Sequence, residues 1–243
     1  MIELKNVSKS YGSKVAVRDV SFKLGQGELV GLFGENGAGK STLMKCILGL
    51  LNYKGEVLLD GEPVSPKNIE RLSFATSEHS FFPSLSPEGH AEFYAAHFPR
   101  FNEKRFRVLM DFFELPMKGA PSKLSTGQKN QFEVVLALSQ GADYILMDEP
   151  FAGNDVFNRE DFYKVLLGIL EPNETVLLST HLLEEVEGFI GRALLIHKGR
   201  LVGDVQMSEL EETGEGLIDF VKRNYGYRAE RIRKAISELS GDE

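Results

Sequence analysis

Hydrophobic and polar positions alternate in some parts of the chain and recur three and four residues apart in others. Alternation, or a short apolar run bounded by turn residues, predicts a strand, whereas spacings of three and four predict a helix. The predicted strands are 2–7, 15–22, 28–33, 55–59, 71–75, 144–147, 175–179, 193–197 and 200–205. The first two flank a predicted turn at Ser10 to Ser13, and the last two form a predicted hairpin.

Helical periodicity replaces the strand pattern between residues 77 and 141. An apolar stripe in this segment is typical of core packing and consists of Phe106, Leu109, Met110, Phe112 and Phe113. Leu124 to Gln128 then opens another helix, for which Ser125 is the predicted N-cap. We interpret the segment as a helical lobe inserted into an α/β domain. Other helices are predicted over 43–50, 158–170 and 182–187.

A charged helical segment is predicted from Met207 onward. Its apolar face contains Ile232, Ile236 and Leu239. Its basic residues are Lys222, Arg223, Arg228, Arg231, Arg233 and Lys234. A solvated helix face is the favoured interpretation, with contact to lipid headgroups or to a partner as the alternative.

Composition narrows the class of protein. The chain has 243 residues, 42% of them hydrophobic and 26% charged, which suits one large α/β domain or a core with an inserted lobe. The net charge of −8 disfavours a nucleic-acid binder, which needs a positive surface against phosphates. The single cysteine, Cys46, excludes an intramolecular disulfide and is interpreted as a small buried hydrophobe. We expect no secretory signal and no membrane span, because no apolar run approaches about 18 residues.

A glycine-rich segment between strand 28–33 and helix 43–50 carries the first candidate chemistry. Its sequence is Gly34-Glu35-Asn36-Gly37-Ala38-Gly39-Lys40-Ser41-Thr42. Strand, glycine turn and helix together predict a phosphate site, because backbone N–H groups can converge where no Cβ blocks the ligand. Lys40 supplies a cation for the β- and γ-phosphates, and the Ser41 hydroxyl is a suitable ligand for Mg²⁺.

Two carboxylates follow the predicted strand 144–147 directly. Asp148 is placed to hold the hydration shell of Mg²⁺, and Glu149 to orient or deprotonate a water for in-line attack. His181 ends a further strand and can donate a hydrogen bond to a phosphate oxygen. Tyr11 could stack on a nucleotide base. Taken singly, the histidine also fits an ordinary loop residue and the tyrosine a half-buried turn residue.

Five separated segments in this order resemble the ATP-binding-cassette ATPases, specifically the nucleotide-binding subunit of an ABC transporter. Residues 34–42 resemble the Walker A motif, and 144–149 the Walker B motif with its catalytic glutamate. Leu124-Ser125-Thr126-Gly127-Gln128 resembles the LSGGQ signature. His181 stands at the position of the switch histidine, Tyr11 at that of the adenine-stacking aromatic, and Gly153 to Asp155 at that of the D-loop.

The resemblance implies a fold and a division of the chain. The expected fold is a P-loop NTPase (RecA-like) α/β core with an antiparallel β subdomain and an inserted α-helical lobe that carries the signature. The ATPase domain would cover 1–205, with the core at 1–76 and 142–205 and the lobe at 77–141. Residues 206–243 would form a short helical extension.

The resemblance also implies a mechanism. ATP and Mg²⁺ would bind between two copies facing head to tail, with Glu149 positioning water and His181 contacting the γ-phosphate. The second copy would contribute Ser125, Thr126, Gly127 and Gln128. The expected partners are a second copy or a paralogous cassette and a separate integral-membrane permease, with no nucleic acid. The expected location is the cytoplasmic face of the cell membrane, and the overall similarity to ABC-2-type cassettes favours export.

Three departures from the family pattern stand out. Thr126 replaces the first signature glycine, and Asn154 and Val156 replace the usual D-loop leucine and proline. The glutamine expected after strand 71–75 is absent, and Ser77 followed by Glu78 occupies its place. Glu78 reaching the metal directly and a water bridging Ser77 to the metal are both open alternatives.

Three other classes compete with the transporter hypothesis. A soluble ABC ATPase of the translation or DNA-repair type usually has two cassettes or a long coiled-coil insertion, neither of which fits this length and motif set. A small-molecule kinase or GTPase would lack the signature-like segment and His181. A non-hydrolysing nucleotide sensor is disfavoured because Glu149 and His181 are both present.

Overall fold

The computed structural model describes residues 1–150 and 156–226. The strands are β1 Ile2–Tyr11, β2 Lys14–Leu24, β3 Leu29–Phe33, β4 Lys54–Leu59, β5 Glu62–Pro63, β6 Leu72–Thr76, β7 Tyr144–Asp148, β8 Thr175–Thr180, β9 Arg192–His197 and β10 Arg200–Gln206. The α-helices are α1 Lys40–Ile47, α2 Pro87–His97, α3 Glu103–Phe112, α4 Thr126–Ser139, α5 Val156–Ile169, α6 Leu183–Val186, α7 Met207–Thr213 and α8 Leu217–Asn224.

The strands form two sheets. The smaller sheet has the order β2-β1-β4-β5 and is antiparallel. The main sheet has the order β10-β9-β3-β8-β7-β6, and its strands are parallel apart from β10, which pairs antiparallel with β9 as the predicted hairpin. A largely parallel sheet accompanied by helices confirms the predicted α/β class with an antiparallel subdomain.

Both faces of the main sheet are buried. In β3, Val30 and Leu32 belong to an apolar cluster shared with α1 and the smaller sheet. Their neighbours Leu29 and Phe33 belong to a second cluster shared with α3, α4, α5 and α8. A strand covered on both faces needs apolar residues at consecutive positions, which explains the unbroken apolar run in the sequence.

Helices α2, α3 and α4 fill the segment between β6 and β7. In α3, Phe106, Leu109 and Met110 are buried as expected, but Phe112 is exposed. Its inclusion in the predicted apolar stripe was wrong, because the side chain of Phe112 projects away from the face of α3 that carries Leu109 and Met110.

The predicted turn at Ser10 to Ser13 is shorter than expected. Ser10 pairs with Val15 and Tyr11 with Lys14, so only Gly12 and Ser13 remain in the turn. Gly12 has a φ of 58°, a left-handed conformation that suits a two-residue hairpin loop. Tyr11 is therefore the last residue of a strand, which places its ring more rigidly than a loop would.

The last described helices pack onto the core. Leu217, Phe220 and Val221 of α8 are buried, while Lys222 and Arg223 are exposed and form ion pairs with Asp219 and Glu215. The predicted apolar face at 232–239 and the remaining basic residues lie outside the described residues. Within the part of the chain that is described, no helix is both long and apolar enough to cross a membrane.

Candidate active site

The glycine-rich segment 34–42 leaves the end of β3 and enters α1. Gly37 and Gly39 have φ angles of 80° and 112°, a region of backbone conformation that favours glycine. A Cβ on Gly39 would lie 2.3 Å from the carbonyl oxygen of Ala16 in β2. Because that neighbour is backbone, a larger residue at this position would displace the loop.

The turn between β9 and β10 supports the same loop. The Gly199 N–H donates to the Ala38 carbonyl over 2.9 Å, and the Gly199 carbonyl accepts from the Arg18 N–H over 2.7 Å. The sequence pattern predicted the hairpin but not this contact, because its partners are more than 150 residues apart. The glycine segment is therefore held between the two sheets.

A cleft of about 250 Å³ opens beside the glycine segment. Residues 36–42 line it together with Tyr11, Lys14, Ala16 and Glu149. The Tyr11 ring is half exposed, and the Lys9 ammonium lies 5.1 Å from the ring centroid. An aromatic ring, a carboxylate and the glycine segment thus line the same cleft.

Lys40, Glu149 and His181 form one connected set of contacts. The buried Lys40 ammonium donates to the Gly34 carbonyl over 2.7 Å and lies 3.4 Å from Glu149 Oε1. The other carboxylate oxygen, Oε2, is 2.9 Å from His181 Nδ1. These side chains meet because β8 lies between β3 and β7 in the sheet, so the carboxyl ends of the three strands share one edge.

Asp148 is buried and contacts Ser179, a residue that belongs to none of the sequence motifs. The Ser179 hydroxyl donates to Asp148 Oδ1 over 2.5 Å. Asp148 and Ser179 are paired in the parallel register of β7 and β8. A serine directly after the apolar run Val176 to Leu178 was the available signal, but its partner depends on the order and register of the strands.

The signature-like segment caps α4. The Ser125 hydroxyl accepts from the Gln128 N–H over 3.2 Å, and the Gln128 side chain accepts from the Ser125 N–H over 3.0 Å. This reciprocal capping box confirms the predicted N-cap. None of 125–128 is among the described residues that line the cleft of the same chain. Ser125 and Thr126 are instead exposed.

A protein-family model described as "ABC transporter" matches residues 17–152. The chain belongs to the ABC transporter family. It is similar to the SkfA peptide export ATP-binding protein SkfE of Bacillus subtilis, at 29% identity over 222 residues that cover 88% of this chain and 93% of that protein. A probable ABC transporter ATP-binding protein of Azorhizobium caulinodans is 34% identical over 207 residues, covering 81% of this chain and 74% of that protein.

A solved ABC structure shares the fold. It is described as the dimeric post-hydrolysis state of an ATP-binding cassette bound to ADP and phosphate, and it aligns with a TM-score of 0.75 at 24% identity over 85% of this chain and 99% of that chain. The family match and the relatives named as ATP-binding proteins identify the chain as an ABC-type ATPase and an ATP-binding subunit, and the solved structure adds the shared fold.

The donors in this ABC site fit a hard cation. Ser41 is exposed at the cleft, and Asp148 supplies carboxylate oxygens at the end of β7, which is separated from β3 by β8 alone. Among the described residues, no group of three or more His, Cys, Asp or Glu could hold a metal by itself. A cation here would share its ligands among the protein, the phosphates and water, which is how Mg²⁺ is usually bound.

The segment that replaces the family glutamine is engaged elsewhere. Both oxygens of Glu78 lie 2.7 Å from the ammonium of Lys45, which is on α1. Ser77 is exposed. In this arrangement the Glu78 charge is directed to α1 instead of the cleft. The predicted D-loop, Gly153 to Asp155, lies outside the described residues.

Cys46 is fully buried in α1, and burial raises the pKa of its thiol to about 11. The thiolate is therefore scarce at neutral pH, which agrees with the interpretation of Cys46 as a packing residue.

Proposed function

We propose that two copies of this chain bind ATP head to tail and that hydrolysis drives export through a separate membrane permease. The name of the SkfE relative supports export, and the dimeric cassette with ADP and phosphate supports the pairing. The chain would then sit on the cytoplasmic face of the membrane, held there by the permease. A paralogous cassette could take the place of the second copy.

The observation that carries the proposal is the meeting of Lys40, Glu149 and His181 at the edge of the sheet. Lys40 would neutralise the β- and γ-phosphates. Glu149 Oε1 lies 3.4 Å from the Lys40 ammonium but has no hydrogen-bond partner among the described residues, and in our proposal this oxygen accepts the proton of the attacking water. His181 is half exposed and would contact the γ-phosphate.

Mg²⁺ would be held by Ser41 and Asp148, together with phosphate oxygens. When bound, it neutralises negative charge on the phosphates. Asp148 is buried and accepts a hydrogen bond from the Ser179 hydroxyl, and these two features restrict the orientation of its carboxylate.

The signature segment explains why two copies are needed. Ser125, with the N–H groups at the start of the 14-residue helix α4, offers donors and a positive dipole end to an anion. These donors do not line their own cleft, so in our proposal they cover the γ-phosphate bound by the partner copy. The two copies close on each other when ATP binds, and they separate when hydrolysis removes the γ-phosphate.

The test uses Glu149→Gln, which keeps the shape of the side chain but removes its basicity. With ATP and Mg²⁺ we expect a stable dimer by light scattering and almost no hydrolysis. Adding Ser125→Arg should return the protein to monomer while ATP still binds. Undiminished hydrolysis by Glu149→Gln would contradict the role of Glu149, and a dimer that survives Ser125→Arg would contradict the composite site.

A further inference from the structure

The hydroxyl of Ser179 contacts two adjacent site residues, the carboxylate of Asp148 and the backbone N–H of Glu149. Ser179 has no exposed surface. Its hydroxyl donates to Asp148 Oδ1 over 2.5 Å and accepts from the Glu149 N–H over 3.1 Å. A serine hydroxyl has one proton and two lone pairs, so both roles are satisfied at once.

The backbone of Glu149 has an unusual conformation at this point. Its φ is 49°, a left-handed conformation that costs free energy in a residue other than glycine. The Glu149 N–H is shared between the carbonyl and the hydroxyl oxygen of Ser179, each 3.1 Å away. Such a conformation persists only where its surroundings fix it, and Ser179 supplies two acceptors that do so.

This backbone conformation determines where the Glu149 side chain goes. With its N–H fixed on β8, the carboxylate lies between Lys40, at 3.4 Å, and His181, at 2.9 Å. The neighbouring Asp148 is fixed through the same hydroxyl. One buried oxygen therefore sets the relative position of two adjacent carboxylates.

We propose that Ser179 is a positioning residue that orients Asp148 toward the metal and Glu149 toward the attacking water. The inference rests on the proposed function. Ser179 does not touch the nucleotide in this account. Its loss would leave the glycine segment intact but would let both carboxylates rotate away from their working positions.

The variant that tests this role is Ser179→Ala, which removes one oxygen without adding volume. Ser73→Ala is the matched control. Ser73 lies on β6, beside β7, and is also buried, but its hydroxyl has no hydrogen-bond partner among the described residues. Both variants remove a buried hydroxyl from the same sheet, but only Ser179→Ala removes hydrogen bonds to Asp148 and Glu149.

Three measurements separate positioning from a general effect on the fold. For Ser179→Ala we expect kcat to fall about ten- to a hundredfold, as is typical when a hydrogen bond to a charged group is lost. We expect at least a fivefold weaker affinity for Mn²⁺ with ATP present, measured by electron paramagnetic resonance. Binding of a fluorescent ATP analogue in EDTA should stay within about twofold of wild type, and Ser73→Ala should resemble wild type throughout.

Two results would overturn the proposal. One is a kcat and an Mn²⁺ affinity for Ser179→Ala within twofold of the control. The other is a loss of nucleotide affinity in EDTA for Ser179→Ala that is as large as its loss of Mn²⁺ affinity, which would indicate a general structural effect. The Mn²⁺ titration needs no turnover, so it tests Ser179 even if the wild type fails to hydrolyse ATP and the proposed function itself is wrong.

Discussion

A buried ion pair connects the helical lobe to the main sheet. Arg105 of α3 and Glu174, just before β8, have side chains only 6% and 7% exposed. Their closest atoms are 2.7 Å apart. Arg105 also donates to the carbonyls of Leu138, at the end of α4, and Ile169, at the end of α5. One guanidinium thus joins four segments.

Replacing Arg105 with methionine should be strongly destabilising. Methionine fills similar space, but it leaves the Glu174 carboxylate buried without its counter-ion and leaves two carbonyls without a donor. Removing one partner of a buried ion pair typically costs about 3–5 kcal/mol of unfolding free energy. In a protein of this size, such a loss corresponds to a melting temperature lower by roughly 10 °C.

The assay is urea unfolding together with a thermal melt of Arg105→Met, Glu174→Gln and the double variant. Because the second change removes the unpaired charge, we expect the double variant to lose clearly less than the sum of the single losses. Arg107→Met is the control, since Arg107 lies on the same helix and pairs with Glu103 at the surface, where both side chains are more than half exposed. Additive losses, or an Arg105→Met midpoint equal to that of Arg107→Met, would refute the reasoning.

Three further predictions concern the phosphate loop, a pair of tyrosine hydroxyls and acid stability. Lys40→Ala should weaken ATP binding at least tenfold in calorimetry, and unchanged affinity would oppose the phosphate-loop assignment. Tyr225 donates to the Ile196 carbonyl over 3.1 Å, so Tyr225→Phe should lower the free energy of unfolding by about 1 kcal/mol. Tyr144→Phe should be neutral in the same urea titration, because the Tyr144 hydroxyl has no partner among the described residues. Burial acts to raise the pKa of Asp143, but its two arginine partners, Arg100 and Arg71, outweigh burial and hold that pKa below its ordinary value. The ionised Asp143 therefore stabilises the protein fully at a pH above its pKa in the unfolded chain, and this stabilisation is lost as the pH falls through its pKa in the folded protein. Across that acid range, the melting temperature of Asp143→Asn should depend less on pH than that of the wild type.

Local patterns predicted the local features well. The glycine turn between strand and helix and the Ser125 cap each depend on residues within a few positions of one another, so the sequence determines them almost alone. Tyr11 shows the limit of this approach. Its neighbours favoured a turn, but pairing with Lys14 across the hairpin kept it in a strand.

The pattern of hydrophobic and polar residues does not predict features that depend on the order of strands in the sheet. Asp148 and Ser179 meet only because β7 and β8 pair in parallel with one particular register. The pairing of Glu78 with Lys45 likewise joins two segments that are separated by more than thirty residues. The resemblance to ABC ATPases supplied the expected site, but it gave no indication of these two contacts.

In our proposal each ATP site combines the glycine segment of one copy with the signature segment of another. The most direct test of this arrangement mixes two inactive variants, Ser125→Arg and Lys40→Ala, in equal amounts. In an equal mixture, half of the random encounters join one copy of each variant, and such a pair has one intact site out of two. We therefore expect recovery of up to about a quarter of wild-type ATPase activity. No recovery above the separate variants, with mixed dimers demonstrably formed, would contradict the proposal.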